Sequence, residues 1–176
     1  MAKDEIIKQL HAASKEFSDY CCNVNTDKFF HQSGEKWSAA QNIKHLVISA
    51  NATRLVFNLP KFFTKLYVGK PNRPSRSYDE LVNKYNLKLQ HGGKASSRFI
   101  PPALSSAIGK DSLVKSFTLS MNKLINAIEK KWTDPQLDQY IAPHPLLGKI
   151  TLRELCYFTI YHTHHHLAII KERVSL

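Results

Sequence analysis

Four of the nine histidines in this 176-residue chain lie in residues 161–166, which read YHTHHH. Successive residues of an α-helix turn by about 100°, so His162 and His166 would project within about 40° of each other, while His164 would point about 200° away from His162. His162 and His166 fall on the apolar side of this segment, which should face the core. Two imidazoles one helical turn apart can bind a single metal ion through their Nε2 atoms at about 2.0–2.1 Å. The spacing therefore makes His162 and His166 candidate metal ligands.

The same spacing occurs in the H-E-x-x-H metalloproteases, but here the intervening residues are Thr163, His164 and His165. The catalytic glutamate of that motif is absent, so a protease of this type is excluded. Spacing alone leaves two other interpretations open. The histidines could be hydrogen-bonded core residues, or they could form a solvated cluster.

A third ligand is available in another predicted helix, which carries His45 with the polar residues Gln41, Asn42 and Ser49 on or near the same side. Three imidazoles would leave an open position on the ion, as catalytic metal sites do. The neighbouring polar side chains could orient the ligands by hydrogen bonding to them. His45 is therefore the candidate third ligand, and the two other interpretations stay open.

The remaining histidines differ in their positions. His165 lies about 60° from His162 around the helix and could be an alternative ligand, a hydrogen-bond donor to a ligand, or an acid/base at the pocket rim. We favour the rim or the hydrogen-bonding role over the ligand role, and we take His165 as the candidate catalytic residue. Surface positions are predicted for the isolated histidines: His11, His31, His91 and His144.

Four long segments have apolar residues every three or four positions, which predicts helices over residues 4–22, 38–59, 111–132 and 151–174. Capping boxes begin the second, at Ser38 and Gln41, and the fourth, at Thr151 and Glu154. No alternating strand pattern is found, so the predicted class is all-α. We expect a single domain over residues 1–176.

Residues 60–110 are rich in Pro, Gly, Ser and basic residues, with one short helix predicted at 78–89. A connection of about 50 residues is far longer than the 2–8 usual between adjacent antiparallel helices, so it predicts a long crossover in a four-helix bundle. A solvated basic loop is the favoured interpretation. The alternative is that it covers a pocket and attracts an anionic thiol or substrate through its basic residues: Arg73, Arg76, Lys84, Lys88, Lys94 and Arg98.

The chain has 25 Lys and Arg residues against 14 Asp and Glu, a formal charge of +11. The positive residues are scattered and match no nucleic-acid-binding motif, so we expect no nucleic-acid partner. Cys21, Cys22 and Cys156 are odd in number and two are adjacent, which argues against a disulfide framework and favours the reducing cytosol. No run approaches the roughly 18 apolar residues of a membrane span, and the N-terminal segment is broken by charges, so neither a membrane segment nor a signal peptide is expected.

Two motifs resemble the DinB-like superfamily. Residues 36–46 (KWSAAQNIKHL) resemble its second-helix motif, and residues 144–155 (HPLLGKITLREL) with Tyr161, His162 and His166 resemble its fourth-helix motif. The resemblance implies a four-helix bundle with up-down-down-up connectivity and a long crossover between the second and third helices. It also implies a divalent metal, usually nickel or zinc, bound by the matching residues His45, His162 and His166.

Some members of that superfamily are transferases or isomerases that use low-molecular-weight thiols, and others are linked to stress responses. The resemblance, with the general frequency of two-fold assemblies, also suggests a homodimer. A divalent cation would increase the acidity of a bound water or thiol, so the leading hypothesis is a metal-dependent transferase or hydrolase acting on a small electrophilic substrate. The alternatives are a metal-binding stress protein without turnover and a basic helical protein that associates with nucleic acid.

Overall fold

The structure is a computed structural model that describes residues 1–174, with the main chain alone at position 67. In chain order its α-helices are α1 (Lys3–Asn23), α2 (Thr26–Phe30), α3 (Ala39–Asn58), α4 (Lys61–Phe63), α5 (Tyr78–Gln90), α6 (Lys110–Lys131), α7 (Asp134–Gln139) and α8 (Leu152–Val174). A π-helical turn follows α4 at Thr64–Val68, and 3-10 turns lie at Ser97–Phe99 and Ser106–Ile108. The predicted all-α class agrees with this predominantly helical fold.

The four long helices pack on one another, with α3 against α6 and α8, and α1 against the same two helices. Their apolar faces meet in one core, in which the rings of Phe17 and Phe117 lie 4.7 Å apart between α1 and α6. Elsewhere in the core, the indole Nε1 of Trp132 donates to the main-chain oxygen of Phe57 at 2.9 Å. Each large side chain removed from water stabilises the fold by about 1.5–3 kcal/mol. No helix formed by residues 1–174 has the length and apolar character that crossing a membrane requires.

Helix α3 begins at the predicted capping box. The Ser38 hydroxyl accepts from the main-chain N–H of Gln41 at 3.1 Å, and the Gln41 side chain accepts from the N–H of Ser38 at 2.9 Å. These bonds satisfy two donors that a helix start would otherwise leave unpaired. Buried positions occur on most faces of α3, including the polar Asn42 and His45, as expected for a central helix.

A two-stranded antiparallel hairpin precedes α8, so the expectation of no strands is wrong. Strand β1 (Ile141–His144) pairs with β2 (Gly148–Thr151), with Ile141 opposite Thr151. Strands of four residues are too short to show a period, and Pro143 lowers the strand signal further. The positive φ of 75° at Gly148 suits glycine and lets the chain turn back.

The connection from α3 to α6 is held to the start of α8 by a buried carboxylate. Glu154 is fully buried, and its oxygens accept from the guanidinium of Arg73 at 2.7 and 2.9 Å and from that of Arg76 at 3.2 Å. The same carboxylate completes the predicted capping box by accepting from the N–H of Thr151 at 3.0 Å. These contacts hold the pKa of Glu154 below its ordinary value against the opposing effect of burial. The long loop is therefore anchored in the fold.

Candidate metal centre

Helices α3 and α8 bring together the three histidines that the sequence singles out. His45 lies on α3, and His162 and His166 lie one turn apart on α8. All three are buried, with 5%, 4% and 6% of their surface exposed, respectively. The predicted face assignment on α8 is correct, because His164 points to solvent and its imidazole lies 3.6 Å from the carboxylate of Glu16.

The Nε2 atoms of the three imidazoles converge. That of His162 lies 3.1 Å from Nε2 of His45 and 3.0 Å from Nε2 of His166. One ligand atom from each residue lies within 4.8 Å of the others, so the three histidines form a group that could hold a metal ion. Two nitrogens each about 2.0–2.1 Å from a shared ion, at bond angles near 90–110°, would lie about 2.9–3.4 Å apart. The observed separations fit that arrangement.

The other ring nitrogens fix the direction in which two of these histidines present their lone pairs. Nδ1 of His45 lies 2.7 Å from the main-chain oxygen of Phe99, and Nδ1 of His166 lies 2.6 Å from Oδ1 of Asn42. An amide oxygen only accepts, so each Nδ1 carries the proton and each Nε2 presents a lone pair. The Asn42 orientation is itself fixed, because its Nδ2 donates to the main-chain oxygen of Ser38 at 2.8 Å. Metal-binding histidines in proteins are commonly oriented in this way.

The lone pairs of His45 and His166 both face Nε2 of His162, which in its neutral form can donate to only one of them, so a cation between the three nitrogens would be stabilised. Burial lowers the pKa of His45, and burial together with the neighbouring imidazoles lowers the pKa values of His162 and His166 well below the ordinary 6.5. A proton is therefore a poor candidate for the cation at neutral pH, while a divalent metal ion suits three neutral imidazoles. The donor set and its orientation fit a metal.

The three histidines form part of the wall of a cavity of about 540 Å³. Phe158 stacks on His162 with the ring centroids 4.6 Å apart, and the Trp37 ring lies 5.0 Å from that of His45. A mostly apolar cavity with a few convergent polar groups is typical of small-molecule sites. A ligand in the cavity would contact the histidine cluster directly.

His165 lies on the cavity wall outside the converging group. Its ring is half-buried, 5.3 Å from the ring of His166 and stacked on Tyr161 at 6.0 Å. Burial lowers the pKa of His165. This position agrees with a place at the pocket rim, and the catalytic role predicted for it stays a prediction.

The surface position predicted for His144 is wrong, whereas His11, His31 and His91 are exposed as expected. The hairpin turn folds the His144 ring to 4.2 Å from Phe158, where it lines the cavity. Its Nδ1 accepts from the main-chain N–H groups of Leu146 and Leu147 at 3.2 Å, and burial lowers its pKa to about 4. The sequence signal was its place in the segment that leads into the last helix.

The basic residues of the crossover divide into groups. Neither of the two predicted roles, a solvated loop and a cover over a pocket, holds for all of them. Arg73 and Arg76 are bound to Glu154. Lys84 reaches the main-chain oxygen of Leu147 at 3.4 Å, and Lys88 is exposed. The last two, Lys94 and Arg98, line the cavity. Of these six residues, only Lys94 and Arg98 therefore bring positive charge to the cavity wall.

Sequence reasoning missed two contributors to the site. The Phe99 oxygen that orients His45 is a main-chain atom and has no residue-type signature. Tyr85 on α5 is buried among the histidine rings, with ring centroids 6.4 Å from His162 and 6.2 Å from His165, and burial raises its pKa to about 12. Its i, i+4 spacing from the buried Leu81 was a readable signal that α5 faces inward.

Comparison with known proteins agrees with the two motifs. No curated protein matches the chain. The family model of the DinB superfamily matches residues 9–170, a span that includes the three converging histidines, all of α3 and most of α8. This chain belongs to the DinB superfamily.

Proposed function

We propose that this protein is a divalent-metal-dependent enzyme that transfers a thiol to a small electrophilic substrate or hydrolyses such a substrate. The observation that carries the proposal is the convergence of three buried Nε2 atoms, two with fixed lone pairs, on the wall of a cavity of about 540 Å³. Catalytic metal sites have protein ligands on one side of the ion and an open position on the other, whereas structural sites are closed by protein ligands. Three histidines at the wall of a cavity match the catalytic arrangement.

His45, His162 and His166 would hold the ion, and we propose nickel or zinc because both accept imidazole ligands. When bound, the ion supplies Lewis acidity that makes a thiol or water nucleophilic at neutral pH. The Phe99 carbonyl and the Asn42 side chain keep two of the imidazoles in the binding orientation.

The cavity walls would orient the substrate and exclude water. Phe158 and Tyr85 pack against the histidines on the side of the hairpin and α5. In thiol transfer a C–S bond forms as the bond from carbon to the leaving group breaks, and the leaving group departs with the electron pair. We propose that an imidazole nitrogen of His165 accepts the thiol proton and passes it to solvent.

Three further proposals concern the whole chain. Because the four long helices pack pairwise around one core, we propose the up-down-down-up bundle of the family. The free cysteines support a reducing cytosolic location. A homodimer is proposed on the general frequency of two-fold assemblies.

Metal analysis tests the site. Untagged protein should contain about one nickel or zinc ion per chain, and substitution of His45, His162 or His166 by Ala should reduce this to about a tenth or less. His164→Ala is the matched control, because His164 lies on the same helix but faces Glu16. Unchanged metal content in the triple variant would show that the site is assigned wrongly.

Turnover tests the reaction. The metal-loaded protein should accelerate the reaction of a low-molecular-weight thiol with a halonitroaromatic electrophile, or the hydrolysis of an activated ester. His165→Gln should reduce the rate by about a hundredfold or more while metal content is retained. Stoichiometric metal without turnover would favour a metal-binding protein that is not an enzyme.

A further inference from the structure

Three basic side chains line the cavity beside the histidines: Lys94 and Arg98 from the crossover, and Arg173 near the end of α8. Among the residues that the structure describes, none that lines this cavity is acidic. Within residues 1–174 these three cations also take part in no ion pair, whereas Arg73 and Arg153 do. In the described part of the chain, no carboxylate therefore lies in direct contact with these three charges.

A hydroxyl group in the same part of the crossover lacks a partner. The Oγ atom of Ser96 is buried and has no hydrogen-bond partner in the described part of the chain, and Ser96 lines the cavity between Lys94 and Arg98 in sequence. Buried polar atoms in proteins are nearly always hydrogen-bonded, so an unpartnered one at a cavity wall suggests that a ligand supplies the missing partner. A hydroxyl that lines the same cavity as two cations is a suitable hydrogen-bond donor to an anion.

Most of the remaining cavity wall is apolar. Aromatic rings come from Trp37, Phe99 and Phe158, and aliphatic side chains come from Val56 and Leu155, among others. The volume of about 540 Å³ is within the range of cavities that enclose a whole small molecule. The apolar wall would bury an apolar ligand body, while the basic groups would bind one charged end.

We propose that this cavity binds an anionic amphiphile, a small molecule with an apolar body and one carboxylate or sulfonate group, and that Lys94, Arg98 and the Ser96 hydroxyl bind the anion. As a statement about the substrate, this inference rests on the proposed function. Arg173 adds positive charge, but its guanidinium already donates to the main-chain oxygen of Trp37, so we do not assign it to the anion. Neutral and cationic molecules with the same body should bind more weakly, because they leave the positive charges and the hydroxyl unsatisfied.

Three ligands with one body test the charge preference: 6-phenylhexanoate, 6-phenylhexan-1-ol and 6-phenylhexylamine. Binding is followed by the fluorescence of Trp37, which lines the cavity, in a Trp132→Phe background that removes the other tryptophan. The carboxylate should bind about tenfold or more tightly than the alcohol, and the amine should bind most weakly. Raising the salt concentration should reduce the preference, because salt screens the exposed charges.

Two double variants separate local from overall charge. Lys94→Gln/Arg98→Gln should remove most of the preference for the carboxylate while leaving binding of the alcohol unchanged. Lys84→Gln/Lys88→Gln removes the same charge from the same crossover at positions outside the cavity wall, and should retain the preference. Since Lys94 and Arg98 are exposed, their replacement is not expected to disturb folding. Equal loss in both variants would overturn the proposal, because net charge alone would then explain it.

Metal-free protein and His162→Ala distinguish this inference from the proposed function, because His162 is a proposed ligand that has no hydrogen bond to the crossover. The carboxylate preference should persist in both, because the proposed anion site lies on the crossover. A preference that disappears with the metal would show that the ion binds the carboxylate, which would overturn the anion site and leave the metal site standing. If wild-type protein binds no metal and still shows the preference, the anion site is supported and the metal-dependent function is contradicted.

Discussion

The Nδ1 atom of His45 donates a hydrogen bond of 2.7 Å to the main-chain oxygen of Phe99, 54 residues further along the chain. This bond links the central helix α3 to the end of the crossover. It determines which nitrogen of His45 carries the proton, and it holds residues 94–99 beside the cavity. The crossover therefore contributes to the histidine site through its main chain as well as to the cavity through its side chains.

Asn42 has the corresponding role for His166, and its removal should weaken metal binding. Asn42→Ala takes away the acceptor 2.6 Å from Nδ1 of His166, so the ring loses its fixed orientation. Loss of such a partner typically reduces metal affinity by about 10–100-fold. Competition with a chromophoric chelator measures the affinity.

Asn51→Ala is the matched control for this variant. Asn51 lies on the same helix, nine residues further on and therefore about half a turn away, and should leave the affinity unchanged. Circular dichroism would show whether both variants keep their helices. An affinity for Asn42→Ala equal to that of wild type would mean that the hydrogen bond does not orient a ligand.

Metal addition should stabilise the folded chain. An ion that binds only the folded state contributes about 2.7 kcal/mol when its concentration is 100 times Kd. For a chain of this length that corresponds to a rise in Tm of about 5–10 °C. Thermal unfolding should show this rise for wild type and His164→Ala, and chelation should reverse it. A rise of equal size in His162→Ala would place the stabilising metal elsewhere.

The long helices could be predicted from the sequence because their determinants are local. The periodicity placed α1, α3, α6 and α8 within one or two residues of their observed ends. The two capping boxes, at Ser38 and Thr151, are contacts between residues three apart and can be read directly from the chain. The histidine pair on α8 follows from the same geometry, since a spacing of four places both rings on one face.

The features that sequence reasoning missed depend on contacts between distant residues. The path of the crossover is fixed by the ion pair of Arg73 with Glu154, 81 residues away, and nothing local connects these two positions. The inward position of His144 depends on the hairpin, whose strands are too short to show a pattern. The path of the crossover and the inward position of His144 depend on long-range contacts, and therefore could be found only from the structure.

Thiol reactivity should differ sharply among the three cysteines. Burial raises the pKa values of Cys21 and Cys156 to about 12, so neither forms an appreciable amount of thiolate at neutral pH. Cys22 is exposed. Titration of the native protein with a chromogenic disulfide should detect one fast thiol, which Cys22→Ser should abolish, and the other two should react only on unfolding. Fast labelling of Cys156 in native protein would contradict its burial in α8.

Replacement of the buried carboxylate that anchors the crossover should destabilise the fold. Glu154→Gln leaves Arg73 and Arg76 without their anionic partner, although Gln can still accept from the N–H of Thr151. Because the two arginines are partly exposed, we expect a loss of about 2–4 kcal/mol in the free energy of unfolding at pH 7. Denaturant unfolding measures it, and Glu172→Gln on the exposed side of the same helix should change it by less than about 0.5 kcal/mol.

The same carboxylate should contribute to acid unfolding. The pKa of Glu154 in the folded chain lies below its ordinary 4.5, so its ionised form stabilises the fold at neutral pH. This contribution is fully present above pH 4.5 and is lost as the pH falls through the lower pKa of the folded state. The free energy of unfolding of wild type should therefore fall more steeply below that pH than the free energy of unfolding of Glu154→Gln. Parallel pH profiles for the two proteins would show that Glu154 is not ionised in the folded chain, and the ion pairs with Arg73 and Arg76 would then not anchor the crossover.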